Sequence, residues 1–416
     1  MVVINTNLKI KNSLNKAREY AYYCFSCGKC QIVCPTSILG LFSPKNFIHK
    51  FVIEGSINLD EFLKRQKLFN CLTCGQCSIY CPMSTEKEGV NFPDIIQSLR
   101  EYGYQQGITK GELSLNSTHD ELMQRIPLIQ SQNLNSINKI DKIKEDKSLK
   151  ITEEGEYAYF IGCMNHLREI FYQLDIPFED IPKSVIKTLN EIGIVPVVLE
   201  SKCCGHDNYW IGDLDTAIKL ANYNVEIYKK AKVKTIIVEC AEGYKMWKYD
   251  YPKLVENYNF EVKHISEILT EKGYKINNKK EQNENLKRKE IKVTYHDPCR
   301  LGRLGGHIYE QPRKLINMDP RIKLIEMKNI KDDSNCCGVS AFRSCNSDTK
   351  ILREKRIKEA LDTEAEYLIT TCPKCITHFS CYLNEIDENG NEKPEKNKLK
   401  IIDLISFISK VKNNEI

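Results

Sequence analysis

The sequence predicts two fold classes in one chain: a mostly helical N-terminal segment, residues 1–105, and after it two repeated α/β units with parallel sheets, residues 151–285 and 286–416. Three observations carry this reading. Two cysteine runs of identical spacing lie within the first 82 residues, and short β-branched runs alternate with amphipathic stretches from Gly155 onward. The cysteines of the second half then recur at a nearly constant offset.

The N-terminal runs are Cys24-Phe-Ser-Cys27-Gly-Lys-Cys30-Gln-Ile-Val-Cys34-Pro35 and Cys71-Leu-Thr-Cys74-Gly-Gln-Cys77-Ser-Ile-Tyr-Cys81-Pro82. Three cysteines spaced by two residues wrap one corner of a 4Fe-4S cube, and the fourth thiolate of each cube comes from the other run. This assigns Cys24, Cys27, Cys30 and Cys81 to one cluster, and Cys71, Cys74, Cys77 and Cys34 to the other. Gly28 and Gly75 remove a side chain where backbone amides approach the sulfides, and Pro35 and Pro82 end the local coil. The competing reading is structural zinc, which is usually held by two separated cysteine pairs and not by four ordered cysteines ending in Pro. Around the loops, Ser43-Pro44 reads as an N-cap followed by the first helical position, and Leu59 to Phe69 has helical apolar spacing. The segment is therefore expected to be a ferredoxin-like helical domain with two 4Fe-4S clusters.

Residues 106–150 turn to Ser, Asn, Gln and Lys, as in Ser131-Gln-Asn-Leu-Asn-Ser-Ile-Asn, and read as a polar linker. Beyond it the candidate strands are Ala158–Ile161, Ile194–Leu199, Thr235–Val238, Ile291–Tyr295, Leu324–Met327 and Tyr367–Thr370. Asp213–Lys230 and Ser347–Leu361 are the clearest helices, each opening on a capping residue. The internal repeat pairs Cys163 with Cys299, Cys203-Cys204-Gly205 with Cys336-Cys337-Gly338, and Cys240 with Cys372, at offsets of 136, 133, 133 and 132 residues. The polar stretch Asn277–Glu290 joins the two copies.

Each cysteine group follows an apolar run. In a parallel sheet the carboxyl ends of the strands share one edge, where ligands bind, so the thiols of each copy are expected to converge on a metal centre. The second copy offers Cys299, Cys336, Cys337, Cys372 and Cys375, too many for one zinc or one cube. In the first copy Cys240-Ala-Glu-Gly243 stands where the second has Cys372-Pro-Lys-Cys375, so one ligand is gone. Cys345 and Cys381 read as buried thiols.

With His296-Asp-Pro-Cys299-Arg-Leu-Gly-Arg303 ahead of the second copy, these motifs resemble the CCG-domain iron–sulfur proteins of the heterodisulfide reductase family. The layout, a ferredoxin domain followed by two CCG domains, is similar to that family's fused catalytic subunit. The resemblance implies that each full five-cysteine motif holds a noncubane 4Fe-4S cluster, and that the substrate is the mixed disulfide of coenzyme M and coenzyme B in methanogenic archaea. For the first copy, Cys163, Cys203, Cys204 and Cys240 leave three outcomes: an ordinary cube, a modified cluster or no cluster.

The function expected from these readings is an oxidoreductase that relays electrons through two cubes to the centre on Cys299, Cys336, Cys337, Cys372 and Cys375, which reduces a disulfide. The alternatives are an electron-transfer subunit of a flavoprotein dehydrogenase for lactate, glycolate or glycerol-3-phosphate, and a cluster-bearing assembly or sensor protein without turnover. Electrons would come from a flavoprotein or cytochrome-type subunit, since no glycine-rich nucleotide loop follows a strand. Arg300, Arg303 and Lys374 would favour an anionic thiol or disulfide. His296 reads as a structural hydrogen-bonding residue, and His166 and His206 as solvent-facing.

Composition narrows the class further. A net charge of +5 spread over 61 basic and 56 acidic residues, without a dense basic block, gives no support to nucleic-acid binding. Nineteen cysteines without an apolar N-terminal stretch point to reduced thiols in the cytoplasm. No run approaches the roughly 18 apolar residues of a membrane span, so any membrane association is expected through a partner.

Overall fold

All seven strands among the described residues pair in parallel, in two separate sheets. The computed structural model describes residues 13–52, 60, 61, 63, 68–84, 89–108, 122–132, 140–276, 290–339, 347–386 and 389–416. Cys345, much of Leu59–Phe69 and nearly all of Asn277–Glu290 lie outside the described residues, as do parts of 106–150. Compactness divides the chain into two units, one of Met1–Gln132, Gly205–Lys219 and Gly338–Leu352, the other of Asn133–Cys204, Leu220–Cys337 and Arg353–Ile416.

In the first unit the two cysteine runs fold alike. Ser26 and Thr73 take φ of 62° and 47°, and Gly28 and Gly75 take 83° and 79°. Each glycine caps the start of a short helix, Lys29–Val33 or Gln76–Tyr80, which ends on Cys34 or Cys81 in extended backbone. A left-handed φ is what calls for glycine at these two positions. The two short helices pack on each other. Helix Pro44–Val52 begins as Ser43-Pro44 predicts, with Ser43 Oγ accepting the Asn46 N–H at 3.2 Å. Helix Phe92–Gln105 supports the second run: fully buried Arg100 donates to the carbonyls of Leu68 (2.9 Å), Cys71 (2.6 Å) and Trp210 (2.9 Å). Only the fork of a guanidinium carries enough rigid donors to satisfy three buried carbonyls at once.

In the second unit, β1 (Tyr157–Phe160), β2 (Thr235–Val238) and β3 (Glu261–His264) form one sheet in that order. The strands β4 (Ile291–Tyr295), β5 (Ile322–Leu324), β6 (Tyr367–Thr370) and β7 (Lys400–Asp403) form the other, in the order β5-β4-β6-β7. Strands β2 and β6 are buried along their whole length, as central parallel strands must be. The predicted run Ile194–Leu199 contributes only Val197, bridged to Ala158 in parallel, beside β1 where β5 lies beside β4. The apolar-run criterion passes over β3 and β7, because edge strands such as Glu261-Val-Lys-His264 carry charge on their solvent face. The copies therefore share one topology.

They also pack reciprocally. Helix Asp180–Glu191 of the first copy lies on Leu404–Lys412 of the second, and Ile265–Glu271 of the first on Glu310–Ile316 of the second. Such an exchange of equivalent helices is the signature of a two-fold relation between duplicated halves.

His264 ends β3 and caps helix Ile265–Glu271, its Nδ1 accepting from the Ser266 amide at 3.2 Å and its Nε2 donating to the Glu239 carbonyl at 2.7 Å. Burial lowers its pKa from 6.5 to about 4. The unfolded chain therefore binds a proton that the folded chain excludes between those two values. Stability from this group is complete above pH 6.5 and declines as pH falls towards 4, by about 3 kcal/mol in all. Chemical denaturation from pH 7 to pH 4.5 should show this slope, and His264→Gln should flatten it.

Candidate metal centres

The helical unit holds two cavities of about 460 and 330 Å³, both open to solvent. Cys24, Cys27, Cys30, Cys77 and Cys81 line the first, and Cys34, Cys71, Cys74 and Cys77 line the second, so Cys77 is shared by both. The electrostatics sort the thiols the same way. Cys81 feels Cys24 and Cys27, whereas Cys77 feels Cys71, Cys74 and Cys34 before it feels Cys30. Burial and this mutual repulsion push Cys30 up to about 11, and burial pushes Cys71 up to about 12. Thiols held so high keep their protons until a cation joins them, and soft thiolate sets of four select iron–sulfur clusters or zinc.

In the second unit Cys163, Cys240 and Cys372 each stand at the start of a helix that leaves the carboxyl end of a strand. Cys299 follows β4 in a turn and is half-buried. In the second copy, buried Cys336, Cys337, Cys372 and Cys375 form one chain of thiol contacts, with Cys375 Sγ 3.3 Å from Cys337 Sγ. The ligand atoms of His296, Cys337 and Cys375 lie within 4.8 Å of one another. The hydrogen bonds from Cys336 and Cys375, with His296 and His378 beside them, pull the Cys337 thiol well below its ordinary value, against burial. His378 donates from Nδ1 to the Cys337 carbonyl at 2.8 Å, and its buried Nε2 meets no hydrogen-bond partner among the described residues. Such an orphaned polar atom beside four thiols fits a site built for a further group.

In the first copy Cys163, Cys203, Cys204 and Cys240 also converge, but here the neighbours act oppositely. The hydrogen bond to Cys203, with burial, pushes Cys204 well up. Burial and then Cys372 raise Cys240, so the cysteine groups of the two copies are neighbours. A Cβ on Gly243 would come within 3.1 Å of Val238 Cγ1 and 3.9 Å of Phe160 Cδ1. The missing fifth ligand therefore has part of its space filled by apolar atoms.

The cations beside these centres are placed differently from expectation. Lys374 is buried and bonded to Glu242 at 2.6 Å, and these two residues occupy equivalent positions in the two copies. Arg303 donates to the carbonyls of Ser334 (2.7 Å) and Asp332 (3.0 Å), holding the approach to Cys336-Cys337, and Arg300 is also buried. Lys374 and Arg303, expected to favour an anionic thiol or disulfide, are thus paired internally. His166 and His206 are buried instead of solvent-facing, and His206 Nδ1 meets Asp207 at 3.1 Å. Cys381 is half-buried. His296 is buried, its Nδ1 accepting from Arg356 Nε at 3.0 Å. Two residues beside the centres escaped the sequence reading. His378 sits three positions after Cys375, on the same helix face, a spacing that could have flagged it. Glu239 adjoins Cys240, where burial and Asp403 hold its carboxyl far above the usual range.

Comparison with known proteins agrees with this picture. The cysteine-rich domain called CCG matches residues 157–245 and 293–380. Over 397 residues the chain is 28% identical to an uncharacterized iron–sulfur protein of Methanococcus maripaludis, covering 94% of this chain and 63% of the relative. It is 34% identical over 235 residues to a subunit of the dihydromethanophenazine:CoB–CoM heterodisulfide reductase of Methanosarcina acetivorans, covering 55% of this chain and 54% of the relative. An EtfAB:quinone oxidoreductase of Syntrophomonas wolfei is 30% identical over 54% of this chain and 31% of its own length. The chain spans roughly a third to two thirds of the length of these relatives. The fold and its cysteine sites define a protein with two CCG domains. More particularly, the chain carries two matches to the CCG domain and is similar over about half its length to that heterodisulfide reductase polypeptide of Methanosarcina. Its thiol sets and its relatives together support iron–sulfur clusters as the group bound. No helix among the described residues is long and apolar enough to cross a membrane.

Removing one partner of the Lys374–Glu242 pair strands a buried charge, which costs about 3–5 kcal/mol. Lys374→Met should lower stability by that order, and adding Glu242→Gln should restore most of the loss in a thermal or denaturant melt. Additive losses would refute the pairing.

Proposed function

We propose that this chain is an iron–sulfur oxidoreductase subunit that carries electrons through two 4Fe-4S clusters to a noncubane 4Fe-4S centre of the second CCG domain, where a disulfide is reduced. The observation that carries the reading is the sorting of thiols. Cys24, Cys27, Cys30 and Cys81 line one cavity, Cys34, Cys71 and Cys74 another, with Cys77 lining both and most strongly coupled to the second set, and Cys336, Cys337, Cys372 and Cys375 form a third buried group. It supports crossed ligation in the helical unit, and the proposal adds Cys299 to those four residues as ligands of a noncubane centre. The cysteines of the first set are the more exposed, with Cys27 at the surface, and a cluster there would receive electrons from a flavoprotein or cytochrome-type partner.

A centre bound at the second copy supplies single electrons and an iron atom with affinity for sulfur. Cleavage of the disulfide adds two electrons and two protons across one S–S bond and yields two thiols. The chain's own part is to hold the thiolates, to exclude water by burying them, and to fix His296 and His378 against Cys337. The mixed disulfide of coenzyme M and coenzyme B is the proposed substrate, supported by the name of the Methanosarcina relative.

A second reading is an electron-transfer subunit of a flavoprotein dehydrogenase of the lactate, glycolate or glycerol-3-phosphate type. Internal pairing of Lys374 and Arg303 favours it, since it leaves those cations unavailable to an anionic substrate, as does the kinship to an EtfAB:quinone oxidoreductase.

Protein purified anaerobically should contain about 12 iron atoms, or about 16 if the first CCG domain also holds a cluster. Coenzyme M or coenzyme B thiol added to the oxidised protein should change the paramagnetic signal of the second-copy centre, and Cys375→Ser should abolish that response while sparing the ferredoxin signals. Insensitivity to every thiol and disulfide, with rapid reduction by a co-purifying flavoprotein, would establish the second reading. Separately, Cys34→Ser should damage the cluster of Cys71, Cys74 and Cys77, and selective loss of the Cys24, Cys27 and Cys30 cluster would overturn the crossed assignment.

A further inference from the structure

The two CCG domains can be superposed residue by residue through their strand pairing, and the comparison isolates one substitution at the centre of each. Phe160 pairs with Val238 across β1 and β2, and Tyr295 with Ile369 across β4 and β6. One step further along, the backbone N–H of His296 bonds to the Ile369 carbonyl, which puts His296 where the first copy has Phe160. The same register sets His378 opposite Met246 and Cys375 opposite Gly243. His296, Cys375 and His378, which surround Cys337, therefore have no equivalent side chains around Cys204, its counterpart, where only the neighbouring cysteine is kept.

His296 is not free to choose its tautomer. Its ring is 2% exposed and packs edge-on against Phe379, with centroids 5.0 Å apart. Arg356, fully buried, donates from Nε to His296 Nδ1, and its other nitrogens are held by the Asn329 carbonyl, Ser334 Oγ and Glu359. A guanidinium cannot accept, so Nδ1 is the acceptor and the proton resides on Nε2. A ring nitrogen of His296 lies within 4.8 Å of the sulfurs of Cys337 and Cys375, and with Nδ1 held by Arg356 the Nε2–H is the donor left to face them.

We infer that His296, locked by Arg356, donates its Nε2 proton to the Cys337 sulfur and thereby raises the reduction potential of the second-copy centre, a device the first copy lacks because Phe160 takes the same place. The inference rests on the proposal that the second copy holds an iron–sulfur centre. Reduction adds negative charge to the cluster sulfurs, and a fixed N–H donor stabilises the more negative state. Phenylalanine offers no such donor. His296 acts here through Cys337, as a positioning residue for the thiolate and its charge.

The test compares full-length wild type with His296→Phe and His296→Gln, by iron content, by paramagnetic resonance during redox titration and by resonance Raman of the iron–sulfur stretches. The Phe variant should retain its iron, titrate at lower potential and show shifted Fe–S stretches. The Gln variant, which keeps an N–H donor, should recover part of the wild-type potential. A Phe variant with full iron and an unmoved potential overturns the inference. Should the Phe variant lose iron, Arg356→Met, which removes the tautomer lock and keeps the ring, should still lower the potential, and an unchanged value there overturns it. A wild-type protein lacking iron in the second copy sinks the functional proposal as well, so the two failures are distinguishable.

Discussion

Gathering several cysteine thiols in one buried place is unfavourable in itself, because each thiolate loses its hydration and repels its neighbours. The raised thiols of Cys30, Cys71, Cys77, Cys204 and Cys240 express that cost. Much of the architecture can be understood as support for these groups: left-handed glycines turn the loops, Arg100 braces Cys71, and two parallel sheets deliver strand ends to the cysteine groups of the two CCG copies. Binding of a polynuclear cation reverses the sign of the electrostatics, so cluster loading and folding stability are coupled.

Duplication supplied two such strand-end sites, and the halves have since diverged in chemistry while keeping their topology. Around Cys337 stand a second histidine, an arginine-locked histidine and a fifth cysteine, and around Cys204 the corresponding positions are methionine, phenylalanine and glycine. The helix after Cys240 also passes into a π-helical turn at Met246–Asp250, whereas the helix after Cys372 runs regularly to Leu383. A widened turn inside a helix commonly marks a place where function has altered a sequence. The buried Glu242–Lys374 pair joins equivalent positions of the halves, so the asymmetry is itself part of the packing between them.

Ser43-Pro44, the helices Asp213–Lys230 and Ser347–Leu361, and the strands β1, β2, β4 and β6 were legible because capping chemistry and continuous β-branched runs act locally. Strands β3 and β7 were not, since an edge strand buries one face only and its charged residues hide the pattern. Ile194–Leu199 had the composition of a strand, yet only Val197 reaches a neighbour.

For the sites, the residues of the sequence determined which sulfurs exist and at what spacing, and hence the two crossed sets of four and the five-to-four inequality of the CCG motifs. Thiolate spacing along a loop is a local property, and local properties can be read from sequence. Only the tertiary structure decided the signs of the surroundings: that Lys374 faces Glu242 and not solvent, that Arg303 holds backbone carbonyls, that His296 is pinned by Arg356, and that His378 leans on Cys337. These partners lie between 29 and 132 residues apart in the chain. Their pairing depends on which side chains the two packed sheets leave without water, a condition set by the whole fold and written in no single segment.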